Sequence, residues 1–166
     1  INSLKVHGKG CFKYDNVRIG LNSRLDTIQA AILQPKFEAF KEYELDRVNE
    51  KAQLYSEKLG GLVRTPTIPT GYYSSWAQYT LILENRGHRD GLQAYLKDNA
   101  MPSMVYYPKP MHLQTAFHHL GHSEGDFPVT EMLCDCVLSI PIHPYITDKE
   151  VGKVCEVIRA YLTATV

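Results

Sequence analysis

The sequence has no excess of either charge: eighteen Lys and Arg stand against eighteen Asp and Glu. Without a net field, the chain as a whole is not drawn to nucleic acid or to an anionic membrane. It has no apolar run long enough to span a bilayer. No basic-then-apolar leader precedes the rest, so nothing points to secretion, and a cytoplasmic protein is expected. The four cysteines, Cys11, Cys134, Cys136 and Cys155, show neither paired metal spacing nor a dense disulfide framework. Cys134 and Cys136 are too close for an ordinary disulfide within one helix, so free thiols are expected. There is a single Trp, no internal repeat and no low-complexity tract.

What is present is an ordinary globular composition with eleven Tyr. The length suits one domain, or a small domain with a long helix. Residues 1–19 are polar and locally basic, with Lys5, His7, Lys9, Lys13 and Arg18 against one acid, Asp15. With Gly8 and Gly10 they read as a loop, either a solvated connector or a rim that attracts phosphorylated ligands. A helix then starts near Arg24, where Leu25, Ile28, Ala31 and Ile32 recur at helical spacing. Pro35 lacks a donor for the carbonyl four residues back and should kink or restart it. Beyond it, Phe37, Phe40, Leu45, Val48, Ala52, Tyr55 and Leu59 keep the period, and Gly60-Gly61 supplies a C-cap. The expectation is a long, bent, amphipathic linking helix over 24–61, preceded by a loop segment at 1–23.

The stretch Thr65–Gly71 reads as an irregular crossing. Strands are expected at Trp76–Leu83, Ser103–Tyr107 and Val137–Ile140. Helices are expected to end near Asn99, to start at Pro128, and to start at Thr147, whose spacing to Glu150 is that of a capping box. Residues 62–166 thus form a small α+β domain, a sheet covered by helices.

Asn22 and Arg24 stand just before the first helix. Alternating residues of an extended segment point to the same side, so both can face one ligand. Arg offers a planar fork for phosphate or carboxylate, and Asn adds an amide donor. The other reading makes Asn22 the helix N-cap and Arg24 a surface ion-pair partner. Tyr106 and Tyr107 read as alternating packing at a strand end. The histidines His112, His118, His119 and His122 match no compact metal pattern, and no metal is expected. His143, before Pro144-Tyr145, reads as structural.

The run Gly20-Leu21-Asn22-Ser23-Arg24-Leu25-Asp26-Thr27-Ile28-Gln29-Ala30-Ala31-Ile32-Leu33 resembles a signature of the DegT-type (DegT/DnrJ/StrS) sugar aminotransferases. The resemblance continues through His7-Gly8, Ser75-Trp76-Ala77-Gln78-Tyr79, Tyr106-Tyr107-Pro108-Lys109-Pro110-Met111-His112-Leu113-Gln114 and Leu138-Ser139-Ile140-Pro141-Ile142-His143-Pro144-Tyr145. It implies the small C-terminal domain of a fold-type-I, pyridoxal-phosphate-dependent enzyme acting as a homodimer with shared active sites. In that family the residue matched by Asn22 reaches the cofactor phosphate of the neighbouring subunit. In some members the residue matched by Arg24 helps to hold the acidic part of the substrate. The loop matched by Tyr106 and Tyr107 lines the sugar pocket, and His112 contributes to the same side. The family pair there is often His-Tyr, and a phenol in place of the imidazole changes what the pocket can recognise.

The resemblance further implies that the lysine anchoring the cofactor, and the acid on its pyridine nitrogen, lie upstream of this sequence. The chain alone is then expected to be inactive. The intact enzyme would move an amino group, with glutamate as the expected donor, to a nucleotide-linked keto-sugar. The other function considered is a non-catalytic α+β ligand-binding or dimerisation module.

Overall fold

The computed structural model describes residues 1–12 and 15–164, so Lys13 of the basic stretch lies outside the described residues. The chain divides into two compact units, Ile1–Glu42 and Tyr43–Val166.

In the first unit, residues 1–9 brace residues 16–23. Val6 pairs with Asn22 and Lys9 with Asn16 in antiparallel bridges. The amides of Leu21 and Ser23 donate to the carbonyls of Leu4 (2.8 Å) and Lys5 (3.0 Å), and His7 N–H donates to Leu21 (3.0 Å). Two glycines permit this approach. A Cβ on Gly20 would lie 2.2 Å from the backbone nitrogen of Gly8, and one on Gly8 would lie 1.7 Å from the carbonyl oxygen of Arg18. Gly8 also has a φ of +76°, where an L side chain is strained.

The helix α1 spans Thr27–Ala39, later than the expected start near Arg24. Its N-cap is Asp26, which forms a capping box with Gln29, the backbone N–H of Asp26 donating to Gln29 Oε1 at 3.2 Å. The backbone before it is committed to the pairing at Asn22, so the helix cannot begin sooner. Pro35 sits inside α1 without ending it. A π-helical segment follows at Phe40–Glu44.

The second unit begins with α2, Leu45–Leu59, which buries Val48, Ala52, Tyr55 and Leu59 at helical spacing. Strand β1, Tyr79–Ile82, pairs antiparallel with β2, Val137–Ile140, with Tyr79 opposite Ile140 and Ile82 opposite Val137. Between them in sequence lie α3 (Arg86–Asp98), two 3₁₀ turns (Met111–Leu113 and Thr115–Leu120) and α4 (Pro128–Cys136). Helix α5, Asp148–Ala164, closes the fold and packs on α2 and α3. Its start is the expected capping box: Thr147 N–H donates to Glu150 Oε2 (2.8 Å) and Glu150 N–H to Thr147 Oγ1 (3.2 Å).

The expected strand over Ser103–Tyr107 is reduced to one bridge, Met104 with Ser139, and the strand at Trp76–Leu83 to four residues. Pro102 and Pro108 bracket the former and cannot donate to a ladder. On the other side of β1, Arg64 bridges Ile82.

The core gathers Tyr55, Leu59, Tyr79, Leu81, Leu92, Leu96, Leu138, Val151 and Ile158 around the two strands. Burying each such aliphatic side chain contributes about 1.5–3 kcal/mol. Arg89 is buried beside it and is satisfied, donating through Nη1 to the Cys134 carbonyl at 3.1 Å and through Nε to Asp90 at 2.5 Å. Glu44, buried in the π-helical segment, accepts from the Tyr145 hydroxyl. All four cysteines are free thiols.

Candidate functional site

Asn22 and Arg24 are exposed and lie on the same side of the extended segment, Arg24 Nε donating to Asn22 Oδ1 at 3.3 Å. That bond uses the acceptor of the amide and one donor of the guanidinium. The Asn22 amide nitrogen and the outer guanidinium nitrogens keep their donors, and no acceptor meets them among the described residues. Asp26 takes the cap, so Asn22 is not the N-cap. The pair is therefore a small donor surface on a braced backbone, suited chemically to phosphate or carboxylate.

In the second unit a cavity of about 290 Å³ is bounded by three segments. Ala77 and Gln78 come from the approach to β1, Pro102 to Met104 and Tyr106 from the segment beside β2, and Ser139 to Ile142 from the end of β2. The antiparallel pairing explains the arrangement, since it sets the start of β1 beside the end of β2. Gln78 and Ser103 give the cavity amide and hydroxyl groups. Tyr106 lines it, and the Tyr107 ring stands edge-on to Tyr106 with centroids 5.8 Å apart. Tyr107 is 69% exposed, and the Tyr106–Tyr107 peptide bond is cis.

His112 lies further along the same segment and is directed at a protein group. Its Nε2 is 2.9 Å from Glu131 Oε1, and its ring packs on Phe127 with centroids 4.8 Å apart. Of the expected site residues, then, Asn22 and Arg24 come together in the first unit and Tyr106 and Tyr107 in the second, while His112 engages Glu131. Among the described residues, no three His, Cys, Asp or Glu side chains gather as metal ligands. No helix among them is long and apolar enough to cross a membrane.

Sequence reasoning passed over Gln78, Ser103 and Glu131. Gln78 stands inside the Trp76–Tyr79 motif and could have been picked out as a polar residue facing away from the buried Tyr79. Glu131 gives no such signal, because its partners lie in an irregular segment before α4.

The sequence profile of the DegT/DnrJ/EryC1/StrS aminotransferase family matches residues 1–159. The chain belongs to that family. It is similar to a pleiotropic regulatory protein of Geobacillus stearothermophilus, 38% identical over 95% of this chain and 42% of that protein. It is also similar to the UDP-2-acetamido-2-deoxy-3-oxo-D-glucuronate aminotransferase of Pseudomonas aeruginosa, 36% identical over 93% of this chain and 41% of that enzyme. Among solved structures, a DegT DnrJ EryC1 StrS aminotransferase from Brucella abortus superposes with a TM-score of 0.86 and 46% identity, over 96% of this chain and 42% of the other. The chain thus spans about two-fifths of the length of the relatives it matches.

Proposed function

We propose that the chain is the C-terminal portion of a pyridoxal-phosphate-dependent aminotransferase that moves an amino group, from glutamate, to a keto-sugar carried on a nucleotide. The observation that carries the reading is the exposed Asn22–Arg24 pair, two side chains whose outer donors meet no acceptor among the described residues, on a segment held from behind by backbone pairing. Donors of this type fit the phosphate of the cofactor and the acidic groups of a nucleotide sugar. Asn22 would hold the cofactor phosphate and Arg24 an anionic part of the substrate. Pyridoxal phosphate supplies the electron sink for amino transfer, and the protein binds and orients the reacting groups around it.

Tyr106, Tyr107 and His112 serve the sugar side in this reading. Flat phenol rings pack against a sugar ring while their hydroxyls bond to its oxygens. Gln78 and Ser103 add hydrogen-bonding groups to the cavity next to Tyr106. The intact enzyme is a homodimer with shared active sites, working in the cytoplasm. The surface of α1 supports further polypeptide there: the helix buries none of its residues, and Ile28, Ile32, Leu33 and Phe37 are 75%, 66%, 52% and 59% exposed. Apolar side chains left exposed on opposite sides of one helix are covered in a finished assembly.

The test is amino transfer by the intact enzyme, with glutamate as donor and a UDP-linked 3-keto or 4-keto sugar as acceptor, read as amino-sugar product by mass spectrometry. Product formation, with no turnover by the 166-residue chain alone, is the expected result. An intact protein that neither binds pyridoxal phosphate nor aminates any keto-sugar would end the proposal.

A further inference from the structure

Glu131, on α4, gathers the segment that follows Tyr107. Its carboxylate accepts from the Gly125 N–H at 3.0 and 2.9 Å, from the Phe127 N–H at 3.3 Å and from His112 Nε2 at 2.9 Å. An ionised carboxylate only accepts, so His112 carries its proton on Nε2 and donates it to Glu131. The His112 side chain is 7% exposed, which makes this bond the buried anchor of the segment. The bonds from Gly125 and Phe127 hold the Glu131 carboxyl below its ordinary range.

The link from His112 back to Tyr107 is stiff. Pro108 and Pro110 fix two of the intervening φ angles. Gln114 Nε2 donates to the Lys109 carbonyl at 3.2 Å, and Leu113 N–H to the Pro110 carbonyl at 3.1 Å. Tyr107 stands edge-on to the Tyr106 ring and is largely exposed. Its place is set between two anchors, the Met104–Ser139 bridge three residues before it and the His112–Glu131 bond five residues after it.

We infer that Glu131 is a positioning residue which, through His112, holds Tyr107 in place beside the cavity-lining Tyr106. Its consequence for catalysis rests on the keto-sugar reading above, in which Tyr107 meets the acceptor and not the amino donor. Loss of Glu131 should then weaken use of the sugar and spare the half-reaction with the donor.

The experiment combines two readouts on the intact protein. In Glu131→Gln, exchange of the Gly125 and Phe127 amides should accelerate by at least about tenfold, the size expected from losing a bond to a charged group, whereas His112→Ala, which leaves both amides on the Glu131 carboxylate, should spare them. The Tyr107 ring resonances, observed with labelled tyrosine, should move toward free-tyrosine values in both variants. His112→Gln, which keeps a donor in reach of the carboxylate, should restore the Tyr107 resonances. In kinetics, Glu131→Gln should raise the KM for the nucleotide keto-sugar by about tenfold or more, with the glutamate half-reaction unchanged. Unaltered Tyr107 resonances in both disruptive variants would overturn the inference, as would a parallel fall in the glutamate half-reaction. If the variants release Tyr107 while the parent protein aminates no keto-sugar, the positioning role stands and the functional reading falls.

Discussion

The indole Nε1 of Trp76 donates to Oδ1 of Asn49 at 2.8 Å. The same amide donates through Nδ2 to the carbonyls of Leu45 (2.7 Å) and Ser74 (2.9 Å). One side chain on α2 thereby fastens the irregular crossing that leads into β1, and Trp76 is held with a φ of +48°. Asn49→Ala should destabilise the fold by about 2–3 kcal/mol, because it leaves the indole donor and a carbonyl without partners. Denaturant unfolding followed by Trp76 fluorescence measures this. A loss below about 0.5 kcal/mol, the size of an ordinary surface change, would contradict it.

Gly20→Ala should loosen the segment that presents Asn22. The added Cβ would meet backbone atoms at 2.2 Å (Gly8 nitrogen) and 2.6 Å (Leu4 oxygen), which no rotamer change relieves. Overpacking of this kind costs about 1–3 kcal/mol. Amide exchange at Leu21 and Ser23, which donate to Leu4 and Lys5, should therefore quicken, with exchange in β1 and β2 unchanged. Unchanged protection at Leu21 and Ser23 would show that residues 1–9 are not what braces the donor pair.

The thiols should separate by reactivity. Cys11 is exposed, whereas burial pushes the Cys155 thiol up to about 11 from its ordinary value of 9.0. The thiolate is the reactive form, so a thiol reagent at neutral pH should label Cys11 first and reach Cys155 only on unfolding. The linkage has a definite sign. A group whose pKa is raised by folding contributes stability that is full below the unfolded value and lost as pH rises through the folded one. Tyr55 and Tyr79 are also raised by burial, so the unfolding midpoint should fall progressively above pH 9.0. A midpoint flat through that range would contradict this account of the core.

The elements legible in the sequence are those with strong local signals. The Thr147–Glu150 box, Pro128 at the first turn of α4 and the apolar run of β2 are where the pattern placed them. The stripe of Val48, Ala52, Tyr55 and Leu59 faces the core as its period requires. Apolar pattern alone overextended the strands, because Ser103–Tyr107 has the residues of a strand but prolines on both sides. It also started α1 too soon, since Asp26 and Gln29 cap more effectively than a chain already paired at Asn22. The same-side placement of Asn22 and Arg24 was legible from alternation. The Glu131 anchor was not, because it depends on how residues 111–127 fold back on α4 without any repeating pattern.

The most direct test of the account is the response of the intact enzyme to Arg24→Ala. Arg24 is exposed and outside the core, so its removal should leave the thermal midpoint within about 1 °C, as for an ordinary surface change. Losing a charge-assisted contact to the substrate should raise the KM for the nucleotide sugar by about tenfold or more. Unchanged kinetics with a clearly lowered midpoint would contradict the account and make Arg24 a structural residue.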